Sequence, residues 1–188
     1  SGMDTRGDDH APEFEGGYTS EVILEGVGRL TCAEAADLDG DGDLDLAVCI
    51  FGNEEGSVVW LEQLDNGSWR SHQLDHRPGA IHAFPFDADG DGDMDIAVSL
   101  SQLSEEILIF RNDGLGNFMK QVLFSSSDTW FGMSGISISD LDQDGDLDIL
   151  YTSGDTLDMD APEGYQPHEQ HGAAWLENDG GGGFTNHE

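Results

Sequence analysis

Short apolar runs occur along this chain in sets of four, and the sets repeat at an interval of about fifty residues. In each set the first run, at residues 30–36, 81–86 or 136–139, leads into a stretch of alternating aspartates. A second apolar run follows the aspartates, and a third ends in a turn of Asn, Asp and Gly, which is a strong hairpin signal. A fourth run completes the set.

This pattern predicts an all-β protein. The runs are short, are bounded by turn residues and show no helical period. Four antiparallel strands in series, repeated at this length, are typical of the blades of a β-propeller. We therefore predict three four-stranded antiparallel blades, which occupy residues 29–78, 79–128 and 129–188.

The residues before the first blade predict one further strand. Residues 13–28 repeat the pattern of a fourth strand, so we expect the outer strand of a preceding blade. Residues 1–12 are predicted to be a flexible lead-in, in which Ser1-Gly2-Met3 is typical of the scar of a tag. Three blades and a strand cannot close a ring. The sequence therefore predicts a partial propeller, or a ring that other chains complete, with open blade faces that allow self-association.

The acidic stretches are the most regular part of each repeat. They begin at residues 37, 87 and 140 and carry aspartate at positions one, three, five, seven and nine. Carboxylates this close repel one another unless a cation offsets their charge. We predict three Ca²⁺ ions, one per stretch, at Asp37, Asp39, Asp41, Asp43, Asp45, Asp87, Asp89, Asp91, Asp93, Asp95, Asp140, Asp142, Asp144, Asp146 and Asp148.

Calcium suits this spacing because it takes about six to eight oxygen ligands in a flexible geometry. We expect side-chain oxygens from positions one, three, five and nine, and the backbone carbonyl from position seven. Glycine at position six permits the tight turn. Magnesium fits less well, because it prefers strict octahedral geometry and keeps its waters. An acidic turn that holds no ion is the alternative.

The charge of the chain narrows the classes of partner. Six basic residues stand against forty acidic ones among 188 residues, for a formal net charge of −34. Nucleic acids and anionic membranes are bound by clustered Lys and Arg, so we expect no nucleic-acid partner and no membrane insertion. Calcium is abundant outside cells. We therefore expect a secreted, periplasmic or cell-surface protein whose native signal peptide is missing from this sequence.

Two cysteines, Cys32 and Cys49, flank the first acidic stretch on the two strands that it joins. A cross-strand disulfide and a pair of free buried thiols are both compatible with this placement.

The acidic stretch within a four-stranded repeat resembles the FG-GAP/VCBS repeat family, the calcium-loop repeats of integrin α-subunit propellers and of many bacterial exported proteins. Phe51-Gly52 matches the Phe-Gly pair of the family in the first repeat, and the other two repeats lack it. The resemblance extends over residues 14–188 and implies a propeller fold, with calcium ligands at positions one, three, five and nine of each stretch. It does not imply one activity, because propellers host many.

A ligand site is predicted away from the calcium stretches. The third repeat carries an inserted loop, residues 154–172, and long loops on a repetitive scaffold are often functional. Aromatic rings beside carboxylates suit a sugar. The candidate ligand-binding residues are His82, Trp130, Asp155, Tyr165, His168 and His171.

Three functions follow from these features. We favour a calcium-stabilised module for extracellular binding, adhesion or carbohydrate recognition, with a glycan or a protein as its ligand. A sugar-active enzyme of the lyase or dehydratase type is the first alternative, with a pocket opposite the calcium loops that uses His82, His168 and His171. A self-assembling structural module is the second. No GxSxG nucleophile turn occurs, and we assign no catalytic residue.

Overall fold

A computed structural model describes residues 20–52, 54–102, 104–128, 131–154 and 172–187. These residues form β-strands and connecting turns, with no helix among them. The described part of the chain accordingly contains no helix that is long and apolar enough to cross a membrane.

The strands form three antiparallel sheets, each with its four strands in chain order. Sheet 1 consists of β1 (Arg29–Ala36), β2 (Asp45–Phe51), β3 (Ser57–Gln63) and β4 (Trp69–Asp75). Sheet 2 consists of β5 (Ala80–Phe86), β6 (Asp95–Gln102), β7 (Ser104–Asn112) and β8 (Phe118–Ser126). Sheet 3 consists of β9 (Met133–Ser139), β10 (Asp148–Ser153), β11 (Gly172–Asn178) and β12 (Phe184–His187).

The sheets stack like blades, and this explains why the second and third strands of each set are rich in apolar residues. Alternate side chains of a strand point to opposite faces. In sheet 2, Ile96 and Phe110 pack against sheet 1, whereas Ala97 and Ile109 pack against sheet 3. Because both faces of sheet 2 are covered, charged residues have no exposed position in the middle of its second and third strands.

The predicted fold class is confirmed as all-β, with three four-stranded antiparallel, blade-like sheets that do not close a ring. The strand predicted over residues 13–28 is absent from its described part, residues 20–28. Gly26 in this segment has a φ of 71°, a left-handed conformation that interrupts an extended strand. Leu24 instead packs on the outward face of sheet 1, beside Val48 and Val59. Residues 13–19 lie outside the described part.

Candidate metal centres

Each acidic stretch forms the connection between the first two strands of a sheet, as predicted. Loop 1 (residues 37–45) joins β1 to β2, loop 2 (residues 87–95) joins β5 to β6, and loop 3 (residues 140–148) joins β9 to β10. Antiparallel pairing of the flanking strands fixes both ends of every loop, so the three loops lie at the same end of their sheets.

The carboxylate of the aspartate at position one accepts hydrogen bonds from backbone N–H groups of its own loop. In loop 1 the backbone N–H groups of Gly40 and Gly42 donate to the two carboxylate oxygens of Asp37, at 2.8 and 3.0 Å. Loop 2 repeats both hydrogen bonds on Asp87 at the same distances. These contacts curl the chain around the carboxylate, so that the next aspartates turn towards it.

Each loop brings together the carboxylate oxygens of three of its own aspartates in one cluster. One oxygen from each member lies within 4.8 Å of the others, which is a separation that a single cation can bridge. The clusters are Asp37, Asp39 and Asp41 in loop 1, Asp87, Asp89 and Asp91 in loop 2, and Asp140, Asp142 and Asp148 in loop 3.

Two oxygens in these clusters are buried without a hydrogen-bond partner. They are Oδ1 of Asp89 in loop 2 and Oδ1 of Asp140 in loop 3. A buried carboxylate oxygen left unpaired carries a substantial desolvation cost. A cation at the centre of the cluster removes that cost, and the all-oxygen donor set is the kind that calcium prefers. The residues present therefore fit a bound Ca²⁺.

The left-handed backbone conformation at position four of the loops is a feature that the sequence analysis did not predict. Glycine at position six adopts positive φ as predicted, with values of 95°, 96° and 107° at Gly42, Gly92 and Gly145. Position four is also left-handed, at 76° for Gly40 and 66° for Gln143. Glycine at position four in the first two loops was the available signal. Gln143 adopts the same conformation with a side chain, which costs roughly 1 kcal/mol.

In loops 2 and 3 the aspartate at position seven lies outside the cluster, whereas in loop 1 Asp43 lies within 4.8 Å of Asp41. In loop 2 the Asp93 carboxylate lies against Gly114 in the β7–β8 hairpin, so close that a Cβ on Gly114 would meet it at 2.4 Å. Asp146 lies in the same way against Gly180. The expectation that position seven offers its backbone carbonyl to the ion stays a prediction.

The aspartate at position nine anchors the loop to the sheet. Asp45, Asp95 and Asp148 are almost fully buried. Asp45 accepts hydrogen bonds from the backbone N–H groups of Gln63 at 2.8 Å and Leu38 at 3.2 Å. Asp148 makes the equivalent pair of contacts, whereas Asp95 exchanges one of them for the Arg111 guanidinium at 2.7 Å. Position nine therefore binds backbone in every loop, and in loop 3 it also joins the cluster.

The pKa values of several loop carboxylates are raised by their surroundings. Burial raises the pKa of Asp39, and the negative charges of Asp45 and Asp41 add to the effect. Burial also raises the pKa of Asp95, although the Asn112 N–H and Arg111 oppose the shift. A divalent ion reverses this tendency, because an opposite charge nearby favours the ionised form.

Neighbouring loops are joined by two asparagines, each of which lies at the end of the third strand of its sheet, where the sequence predicts a turn. Asn112, the last residue of β7, donates its side-chain N–H groups to the carbonyls of Leu38 in loop 1 and Met94 in loop 2, at 2.8 and 3.0 Å. Asn178 links loops 2 and 3 through the carbonyls of Ala88 and Leu147. A further acid missed from the sequence, Asp65 of the β3–β4 hairpin, lies within 4.8 Å of Asp41 and Asp43.

The predicted ligand-binding residues are described only in part. His82 lies at the start of β5, where its ring packs against Gly135 of sheet 3 and its Nδ1 is buried without a hydrogen-bond partner. A groove of about 440 Å³ runs from His82 along sheet 3, past Thr152 to Trp175. Trp130, Asp155, Tyr165, His168 and His171 lie outside the described residues.

Comparison with known sequence families gives one finding. Residues 37–98 match the FG-GAP-like repeat family, which confirms the predicted resemblance over loop 1, loop 2 and the strands between them. Comparison with curated proteins gives no significant match.

Proposed function

Taking the chain as a β-propeller-type module with an FG-GAP-like repeat at residues 37–98, we propose that it binds one Ca²⁺ in each of its three acidic loops and needs these ions for stability. The observation that carries the proposal is the set of three carboxylate clusters, two of which contain a buried oxygen without a partner. A family match alone does not supply this support, because it ends at residue 98, before loop 3.

The proposed role of calcium is structural. When bound, the ion neutralises the clustered carboxylates, while the surrounding backbone holds them in place. Position nine fastens each loop to the third strand of its own sheet, and Asn112 and Asn178 fasten it to the next loop. The free energy of ion binding therefore adds to the free energy of folding. Sites of this kind stay filled at extracellular calcium concentrations, which is our reason to propose an exported protein.

Calorimetric titration and thermal unfolding test this proposal. We expect three ions per chain, and a melting temperature that falls in EDTA by roughly 5–10 °C for each site, if calcium is at about a hundredfold its dissociation constant. Asp89→Asn should remove one ion, because Asp89 belongs to the loop 2 cluster. Asp93→Asn is the matched control, since its carboxylate lies against Gly114 and is not a member of the loop 2 cluster, so three ions should remain. Equal melting temperatures in EDTA and in calcium would refute a structural role.

A second candidate function, assembly through the outward face of sheet 3, is favoured by one comparison between the loops. Position two of loops 1 and 2 is covered by the following sheet, and Leu38 and Ala88 are 0% and 1% exposed. The equivalent residue of loop 3, Leu141, is 45% exposed. Trp60 of sheet 1 is likewise buried against Gly116 of sheet 2, whereas its equivalent Trp175 lines the groove.

We propose that a second copy of the chain covers this face. Sheet-on-sheet packing already joins sheets 1, 2 and 3, and the exposed face continues that series. Val48, Val59 and Leu61 on the outward face of sheet 1 are already at most 6% exposed. The pairing should therefore bring sheet 3 of one copy against sheet 3 of the other in a two-fold arrangement.

Light scattering in calcium over a range of protein concentration tests the pairing. We expect a dimer mass for the unmodified chain and a monomer mass for Leu141→Glu, which places a charge in the contact. Leu115→Glu is the control, because Leu115 is 75% exposed at the tip of the β7–β8 hairpin and the dimer should persist. A monomer at all concentrations would exclude the assembly. Saturable binding of a glycan by that monomer would instead support carbohydrate recognition in the same groove.

A further inference from the structure

The two cysteines of the chain are direct cross-strand partners. Cys32 on β1 pairs with Cys49 on β2 in the antiparallel ladder. Directly opposed residues in such a ladder have Cα atoms about 4.5–5.5 Å apart, which falls within the range of about 4.4–6.8 Å that a disulfide spans. Both side chains lie in the apolar cluster between sheets 1 and 2, and both are free thiols in the described structure.

Their surroundings make the two thiols unequal. Cys49 is completely buried, whereas Cys32 is partly exposed. Hydrogen bonds from the Cys49 thiol and from the backbone N–H of Ala83 lower the pKa of Cys32. The same contact with Cys32, together with burial, raises the pKa of Cys49. Cys32 is therefore the accessible thiol and the one that ionises more easily, and these are the properties of an attacking cysteine.

We propose that Cys32 and Cys49 are an oxidisable dithiol, which closes a disulfide across β1 and β2 by exchange with a small-molecule disulfide such as glutathione disulfide. The Cys32 thiolate attacks one sulfur of glutathione disulfide, and a glutathione thiolate leaves. Cys49 then loses its proton, attacks the Cys32 sulfur of the mixed disulfide and expels the second glutathione. The two protein thiols are oxidised, and one glutathione disulfide is reduced to two glutathione thiols.

The position of the pair gives the bond a structural consequence. A disulfide would close a ring over residues 32–49, which contain all of loop 1. It would hold together the two strands that carry this loop and limit the freedom of the unfolded chain. Sheets 2 and 3 place His82 opposite Ser99, and Gly135 opposite Thr152, at the equivalent ladder positions. Sheet 1 alone can therefore make this bond within the described residues.

Mass spectrometry of the folded, calcium-loaded chain in a series of glutathione redox buffers tests the proposal. We expect a product lighter by two hydrogen atoms, with no glutathione attached and with both thiols unreactive towards iodoacetamide. Since the chain contains two cysteines, an intramolecular disulfide in a monomer can only join Cys32 to Cys49. The oxidised form should melt roughly 5–10 °C above the reduced form.

Two variants test the separate roles of the thiols. Cys49→Ser should stop at a stable glutathione adduct on Cys32, whereas Cys32→Ser should form little adduct, because Cys49 is buried. Peptide mapping of the unmodified chain gives an answer even if a variant fails to fold. The proposal is overturned if the folded unmodified chain keeps its glutathione adduct, or if the disulfide forms only after denaturant is added.

Discussion

At the level of single residues, the acidic side chains of this chain are of two kinds: those that lie beside other acids and those that pair with basic groups. The clustered aspartates of the loops lie beside other carboxylates, although Asp95 at position nine of loop 2 pairs with Arg111. Asp75 at the end of β4 is almost fully buried and lies among basic groups. Its carboxylate accepts hydrogen bonds from Lys120 at 3.0 Å and from the Arg77 guanidinium at 3.1 Å. Arg77 also contacts Glu106 at 2.6 Å, so the network joins sheet 1 to sheet 2.

This network should make stability depend on pH in a defined window. Burial by itself raises the pKa of Asp75, but the hydrogen bonds from Arg77 and Lys120 outweigh it and hold the pKa at about 2. An unfolded chain has a value of about 3.9. The stabilisation is therefore complete above about pH 4 and is lost as the pH falls through 4 towards 2.

Asp75→Asn should lower the free energy of unfolding by about 1–3 kcal/mol at pH 7, since it leaves Arg77 without its main partner. The difference from the unmodified chain should shrink as the pH approaches 2. Urea denaturation at several pH values in calcium measures both effects. Glu34→Gln, an exposed acid on β1, is the control and should change stability little. A loss in Asp75→Asn that stays constant from pH 7 to pH 2 would show that the ion pairs are not its cause.

The residue scale also shows why some contacts were predictable and others were not. The cluster in each loop comes from residues within nine positions of one another, so spacing alone indicates it. The partners of Asp75 include Lys120, 45 positions further along the chain. Such a contact depends on how two sheets stack, and no local pattern carries that information. The position of His82 in its repeat makes it a candidate ligand-binding residue, but its packing against Gly135 depends on how sheets 2 and 3 stack.

At the level of elements, the strands were predictable because burial on both faces leaves a strong signal. The runs before and after each acidic loop are observed as strands, with ends within a few residues of those predicted. The observed end of a strand differs from the predicted one where a hydrogen bond to a loop residue extends the strand. Asn112 and Asn178 look like turn residues, yet each is the last residue of its strand, because its backbone N–H bonds the position-nine aspartate.

These asparagines connect neighbouring loops, in addition to the apolar packing that joins neighbouring sheets. Each side-chain amide spans two loops, with one carbonyl acceptor in each. In sheet 1 the equivalent residue is Gln63, whose N–H keeps the bond to Asp45. Arg111 adds a second link, from Asp95 to the carbonyl of Gly182 in the β11–β12 hairpin. If the loops bind ions as proposed, we expect order in one loop to be passed to the next through these contacts.

At the level of the whole molecule, the dominant feature is a net charge of −34 on 188 residues. Three divalent ions add six positive charges and bring the net charge to about −28, so most of the repulsion remains after the proposed sites are filled. The stacked sheets must therefore hold together against long-range repulsion as well as against the local repulsion within each loop. Sodium and calcium should relieve the two kinds of repulsion differently, because sodium screens all charges and calcium, as proposed, would occupy the clusters.

Salt should therefore stabilise the calcium-free chain. Raising NaCl from about 0.01 M to about 1 M shortens the screening length from about 30 Å to about 3 Å, which removes most of the repulsion between separate loops. In EDTA we expect the melting temperature to rise steadily over this range, and we expect a smaller rise in saturating calcium, where the clusters are already neutralised. Choline chloride is the control, because screening without specific sodium binding should give the same slope. A melting temperature in EDTA that stays flat or falls with salt would mean that apolar packing between the sheets, and not charge, limits the stability of this chain.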